Sequence, residues 1–268
     1  MRSGHETKMK NNGSTYSLDL TPAELYWLAG TLELIHLPLL DDENRIHSRS
    51  EIEADLVKAQ VSLQSRGLIR RAHGTGWEVD RLPAAIVRWM GTADKMLVME
   101  HFAQNEVSHR IHVFIEKDAV MSGTLDEDKF HFVFYQNLET MITELFSSIG
   151  ASFSSPNPHS TSVNLPQPLT IIRAAWQDSS LPEKMLKVGG IKTKDARLVR
   201  IWINSLEWVA ILTIAHLQAV KPVAESQLIF CGDRHTAWSG LGVENDAGII
   251  SMAPVSRLEA GVQIDNLL

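Results

Sequence analysis

The chain has 268 residues, 44% hydrophobic and 21% charged, with a formal net charge of -7. Its length implies one large or two small globular domains with chain enough for a sizeable core, and its acidic balance opposes wholesale nucleic-acid binding. The single cysteine, Cys231, excludes an internal disulfide and a cysteine zinc cluster, and no apolar run reaches the roughly 18 residues a spanning helix needs.

Residues 1–16 carry no apolar leader segment and read as a disordered tail. With one cysteine in the whole chain, a reducing, cytoplasmic setting is expected. Thr21-Pro22-Ala23-Glu24 is a strong helix start. Thr21 caps, Pro22 suits the first helical position, Glu24 completes a capping box, and Leu20 and Leu25 occupy the staple positions. This helix is predicted to run to about Leu34, before Pro38. A second capped helix opens at Ser50, with Ile52, Leu56, Ala59 and Leu63 as its apolar stripe and Gly67 placed for a left-handed exit. Leu68-Ile69-Arg70-Arg71 turns strand-like and His73-Gly-Thr-Gly-Trp77 reads as a hairpin tip. A third helix, about Leu82 to Met90, follows Asp80.

A meander is predicted over 95–102, 108–117, 118–125 and 129–135, with Asp126-Glu127-Asp128 at a turn. Phe130, Phe132 and Phe134 alternate with His131, Val133 and Tyr135, as in a half-buried strand. Asn137 caps a helix to about Ser148. Residues 151–168, rich in Ser, Pro and Asn, read as a linker or loop. Helices near 169–177, 182–188 and 194–205, four strands, and a final helix from about Val255 to Leu268 complete the chain.

The second half repeats the pattern of the first. At an offset of 117 residues, Val113–Leu145 lies over Phe230–Val262 without a gap. Ser122-Gly123 falls on Ser239-Gly240, and Leu138, Met141 and Leu145 fall on Val255, Leu258 and Val262. At an offset of 112, Ile86-Val87 lies over Leu198-Val199, Met90 over Trp202, and Leu97-Val98-Met99 over Val209-Ala210-Ile211. The change of offset requires a longer loop in the second copy, for which Ala219–Ser226 is available against Ala103–Ser108. The fold class expected is therefore α+β, in two pseudo-symmetric halves (17–150 and 169–268). Each half is expected to hold a mainly antiparallel sheet of about four strands with flanking helices.

Residues that suggest chemistry are few. His101, His109, His112 and His131 lie on predicted strands, but 109 and 112 have opposite parity and point to opposite faces, which opposes a shared metal site. Cys231, Asp233 and His235 supply a nucleophile, an acid and a base within five residues, whereas a catalytic triad converges from separate elements. Trp238-Ser239-Gly240-Leu-Gly242 lacks both the Gly-x-Ser-x-Gly elbow and the remaining glycines of a dinucleotide loop. No catalytic, metal or cofactor site is expected. Trp27, Trp89, Trp202 and Trp208 read as core.

Helix, Gly67, strand and Gly-tipped hairpin also follow the order of a winged helix, in which Arg66, Arg70, Arg71 and His73 would touch phosphate. Against this, the would-be recognition helix begins with Glu51, Glu53 and Asp55, which repel a nucleic acid. A winged-helix transcriptional regulator is the alternative reading.

Several stretches resemble the EspG family of type VII secretion chaperones. Leu18-Asp-Leu-Thr-Pro-Ala-Glu-Leu25 resembles its opening strand and helix, and Leu37-Pro38 its helix exit. Ala59–Ile69, with Arg66-Gly67-Leu68, resembles its second helix, and Asp80–Val98 the next helix and strand. Ser251-Met-Ala-Pro254 and the final helix resemble its close. The chain departs from the family in its richness in Lys, Asn, Ile and Met and in the short loop at 103–108. The resemblance implies a quasi-twofold fold without catalytic or cofactor chemistry. It also implies a cytoplasmic chaperone or adaptor whose partner is a helical protein, such as a helical-hairpin secretion substrate.

Overall fold

The structure is a computed structural model. It describes residues 16–34, 37–39, 49–103, 109–117, 119–151, 153, 162–188, 192–218, 221–233, 235–242 and 249–268. The expected tail up to residue 15 and the body of the loop at 103–108 lie outside the described residues. The first elements are β1 (Ser17–Leu20), α1 (Pro22–Thr31), α2 (Arg49–Ser65), β2 (Ile69–Arg71), β3 (Trp77–Val79) and α3 (Arg81–Thr92). A meander follows of β4 (Lys95–Ala103), β5 (His109–Glu116), β6 (Ala119–Asp126) and β7 (Lys129–Tyr135), then α4 (Leu138–Ser148). The chain continues with β8 (Val163–Pro166), α5 (Pro168–Gln177), α6 (Leu181–Val188) and α7 (Thr193–Ser205). It closes with β9 (Trp208–Gln218), β10 (Lys221–Gly232), β11 (Ala237–Gly242), β12 (Ile249–Val255) and α8 (Arg257–Asp265).

The class is α+β. In place of two sheets of about four strands, the strand order is a single ten-stranded one, β1-β7-β6-β5-β4-β9-β10-β11-β12-β8, with β2 and β3 as a separate hairpin. The described registers are all antiparallel. Val163–Pro166, read in sequence as part of a linker, is instead a strand, and it pairs with β12. The expected long loop at 219–226 is also largely strand, since β10 begins at Lys221. The chain forms two compact units. One holds the described residues before Leu97 together with Ile111–Met141 and Leu217–Pro222, and the other holds Leu97–Arg110, Ile142–His216 and Val223–Leu268.

In the first unit, Glu24 Oε2 accepts from Thr21 N at 2.9 Å and Glu24 N donates to Thr21 Oγ1 at 3.2 Å, forming the predicted capping box. The staple residues Leu20 and Leu25 are fully buried. Helix α1 stops three residues short of the expected Leu34, because Glu33 turns into the left-handed region with φ 57°. In α2, Ala59 and Leu63 pack inward as predicted, whereas Ile52, near its start, is exposed. Gly67 has φ +71°, the left-handed exit that glycine adopts without a Cβ penalty. Asn137 Oδ1 accepts from Thr140 N at 2.8 Å and caps α4. Phe130 and Phe132 are buried and His131 is exposed, so the alternation along β7 is the predicted one.

In the second unit, Val209, Ile211, Ile229, Cys231, Ile250 and Met252 form one face of the strands. They pack with Ile171, Ile172, Leu186, Ala196 and Ile203 of α5, α6 and α7. Residues of opposite parity, Trp208 and Phe230, meet other rings. Phe230 lies edge-on to Phe146 of α4 at 5.2 Å, and Trp208 lies 6.3 Å from Phe153. With both faces covered, β9 reads as a continuous apolar run rather than an alternation.

The repeat can be checked element by element. Ser122-Gly123 of β6 and Ser239-Gly240 of β11 both bury the serine and press the glycine against the next strand. A Cβ on Gly123 would lie 2.9 Å from the Phe132 ring, and one on Gly240 would lie 2.6 Å from Ile250 Cγ2 and Met252 Sδ. The closing helices differ. Met141 and Leu145 of α4 are buried, but their counterparts at the 117-residue offset, Leu258 and Val262, are 79% and 51% exposed. Helix α8 instead buries Ala260 and Ile264, so its face is rotated relative to the one expected. Ile86 and Val87 of α3 are buried, whereas Leu198 of α7, their expected equivalent with Val199, is 60% exposed. Of the four tryptophans expected in the core, only Trp208 is fully enclosed. Trp27, Trp89 and Trp202 are half-buried and pair with Trp77, Phe134 and Trp238 respectively.

Candidate partner-binding surfaces

The residues that suggested chemistry take structural roles. Cys231 is fully buried in β10, where loss of solvent, and secondarily the charge of Asp233, push its thiol far above the ordinary range. A thiol held protonated is no nucleophile. Asp233 Oδ1 accepts from His235 N at 2.7 Å and Thr236 N at 2.8 Å, closing the turn between β10 and β11. His235 is exposed, whereas Cys231 is buried.

The histidines do not converge. His101 is buried and stacks on exposed His109 at 6.5 Å, His112 is half-buried, and His131 Nδ1 lies 2.6 Å from Asp19 Oδ1 across β1 and β7. Among the described residues no group of three or more His, Cys, Asp or Glu is placed to hold a metal ion.

The basic residues of the winged-helix reading are engaged with their neighbours. Arg66 Nη1 donates to both carboxylate oxygens of Glu24 at 3.1 Å, and its Nη2 donates to the Asp19 carbonyl at 2.7 Å. Arg70 pairs with Glu78 at 2.5 Å, and the Arg71 guanidinium lies 4.2 Å above the Trp77 ring. His73 is exposed at the hairpin tip. The side of α2 opposite its buried stripe carries Ala54, Val57 and Val61, and Lys58 beside them is paired with Asp55 at 2.9 Å.

Exposed apolar side chains gather on three helices. Val57 and Val61 are one turn apart on α2, Leu258 and Val262 are one turn apart on α8, and Leu198 and Ile201 are neighbours on α7. Next to Leu258 and Val262, Gly261 has open space where a Cβ would stand, so another chain can approach the α8 backbone closely there. The 112-residue offset sets Leu198 against Ile86, which is buried, whereas Leu198 is exposed. A local signal did mark this region as surface: residues 179–205 hold six Lys or Arg against two Asp or Glu, in a chain of net charge -7.

These parts define a protein of the α+β class with apolar side chains exposed on the outer sides of α2, α7 and α8. No family model and no curated protein matches the chain. Among solved structures, the chain is similar to the Mycobacterium tuberculosis type VII secretion system chaperone EspG5, in its structure with the PE25-PPE41 dimer. The TM-score is 0.61 at 11% sequence identity, with 93% of this chain and 94% of that chain covered. The chain thus shares the fold of that chaperone over 93% of its length. Among the described residues no helix is long and apolar enough to cross a membrane.

Proposed function

We propose that this protein is a non-enzymatic cytoplasmic chaperone or adaptor that holds a helical protein partner for secretion, in the manner of EspG-type chaperones. The observation that carries the reading is the shared fold over 93% of the chain. The structural employment of Cys231, Asp233 and Arg66 supports it, as do the apolar residues left on the outer sides of α2, α7 and α8. The neighbour's PE25-PPE41 dimer suggests the client: a small helical secreted protein or pair of proteins. The body that grips it descends from a duplicated strand-and-helix unit, a reading supported by the matched roles of Ser122-Gly123 and Ser239-Gly240. On this reading the two halves, 17–150 and 169–268, are related by a pseudo-twofold axis.

Affinity purification from the native cell, followed by mass spectrometry with and without nuclease, tests the proposal. A helical protein recovered in near-equal amount after nuclease is the expected result. Loss of every partner on nuclease treatment would overturn it in favour of the winged-helix reading, and recovery of no stable partner would count equally against it.

A further inference from the structure

Helices α6 and α7 lie against one another as an antiparallel hairpin. Asn204 Nδ2 donates to the Ser179 carbonyl at 3.3 Å, and Arg200 Nη1 lies 2.9 Å from Glu183 Oε2, so positions advance along one helix as they recede along the other. Inward, the hairpin buries Leu186, Ala196 and Ile203. Outward, it carries two kinds of group together. The apolar ones are Val188, 90% exposed, Leu198, 60%, and Ile201, 58%.

The others are cations. Lys187 Nζ sits 2.9 Å from Glu183 Oε1, and Lys187, Arg200 and Arg197 all act on the Glu183 carboxyl, holding it below its ordinary value. One carboxylate is thus shared among three cations, and Lys184 and Lys192 are exposed beside them. Among the described side chains the face is therefore positive, on a protein that is negative as a whole. A bare apolar patch would accept many partners, whereas apolar groups rimmed by a single sign of charge select for the opposite sign.

We infer that the outer face of the α6–α7 hairpin docks an acidic amphipathic helix of the partner protein. The partner's apolar stripe covers Leu198, Ile201 and Val188, and its carboxylates reach Lys184, Lys187 and Arg197. The inference rests on the partner-binding reading above and adds the partner's chemistry and place of contact.

The test uses the full-length chain and two fluorescent helical peptides. Both carry the same leucine stripe, one with glutamates and the other with lysines across its polar face. The glutamate peptide is expected to bind at least about tenfold more tightly than the lysine peptide, with affinity falling as salt rises. Arg197→Glu and Lys184→Glu should each weaken the glutamate peptide and strengthen the lysine peptide, a crossover that misfolding does not produce. Ile201→Asp should weaken both. Equal binding of the two peptides, no crossover, or binding of phosphatidylserine vesicles with neither peptide bound would overturn the inference. A native client that binds the Arg197→Glu, Lys184→Glu double variant as well as the parent would also overturn it, while leaving the chaperone reading intact.

Discussion

At the scale of single residues, the most consequential side chain is Glu24. It is 1% exposed, it completes the cap of α1, and it accepts from Ser62 Oγ at 2.7 Å and from Arg66. One carboxylate therefore ties α1 to α2. Glu24→Ala would take the acceptor from Arg66 Nη1 and from the Ser62 hydroxyl and remove half of the capping box. The expected loss is about 3 kcal/mol, read as a fall in the urea midpoint. The same box at Ser256 and Glu259 is exposed, and Ser256→Ala should cost about 1 kcal/mol. The Glu259 carboxyl is held below its ordinary value of 4.5 by hydrogen bonds from the Ser256 backbone and side chain. Asp178 is held below 3.8, first by the Ser180 backbone and then by the Ser180 side chain. A lowered folded-state value means that each ionised carboxylate favours the fold. That contribution is complete above the ordinary value and disappears as pH falls through the lowered one. A carboxyl titration by NMR should place both groups below those ordinary values, with Glu259 moving upward in Ser256→Ala. Both capping boxes follow a sequence pattern, and that of Thr21 and Glu24 was read directly. The partners Ser62 and Arg66, 38 and 42 residues away, belong to tertiary packing, which no local pattern encodes.

At the scale of elements, the paired glycines of β6 and β11 give a graded prediction. Gly123 faces the end of the Phe132 ring, which can tilt, whereas Gly240 faces Ile250 Cγ2, Met252 Sδ and, at 3.1 Å, the Ser251 carbonyl. Gly240→Ala should therefore cost about 2 kcal/mol and Gly123→Ala less, measured as the difference in thermal midpoint under identical conditions. Strand positions were legible because alternation along β7 and the turn at Asp126-Glu127-Asp128 are local signals. In β4, β5, β6 and β7 the expected and observed bounds differ by a residue or so. Helix faces were less legible. Leu258 and Val262 carry the same hydrophobicity as Met141 and Leu145, and only the rotation of α8 relative to its strands decides which pair meets the core. Leu198 makes the same point on α7. Apolar spacing identifies a helix but does not say which of two apolar sides turns inward when both exist. The surface proposed for docking was legible only in its charge, through the excess of Lys and Arg between 179 and 205.

At the scale of the whole molecule, the repeat in sequence and the compact units in space divide the chain differently. The unit containing α5 to α8 also takes in Leu97–Arg110 and Ile142–Ser148 from the first half, and β12 pairs with β8 inside the segment expected to be a linker. A fragment spanning 169–268 lacks all three pieces, including Phe146, which packs on Phe230. Expressed alone it should show no cooperative thermal transition, whereas the full chain should show one. The repeated pattern is legible in sequence because Ser122-Gly123 and Ser239-Gly240 stand at one fixed offset. The division into compact units is not legible there, because it is set by contacts far apart along the chain. The bond from Arg66 to the Asp19 carbonyl has a consequence at this scale. Tyr16 pairs inward with Phe134, so by strand parity the Asp19 carbonyl looks outward from the end of the sheet. An outward carbonyl is where a stray strand from another molecule would begin to add, copy upon copy, into a fibre. With the guanidinium seated there, that rung at the β1 edge is already taken.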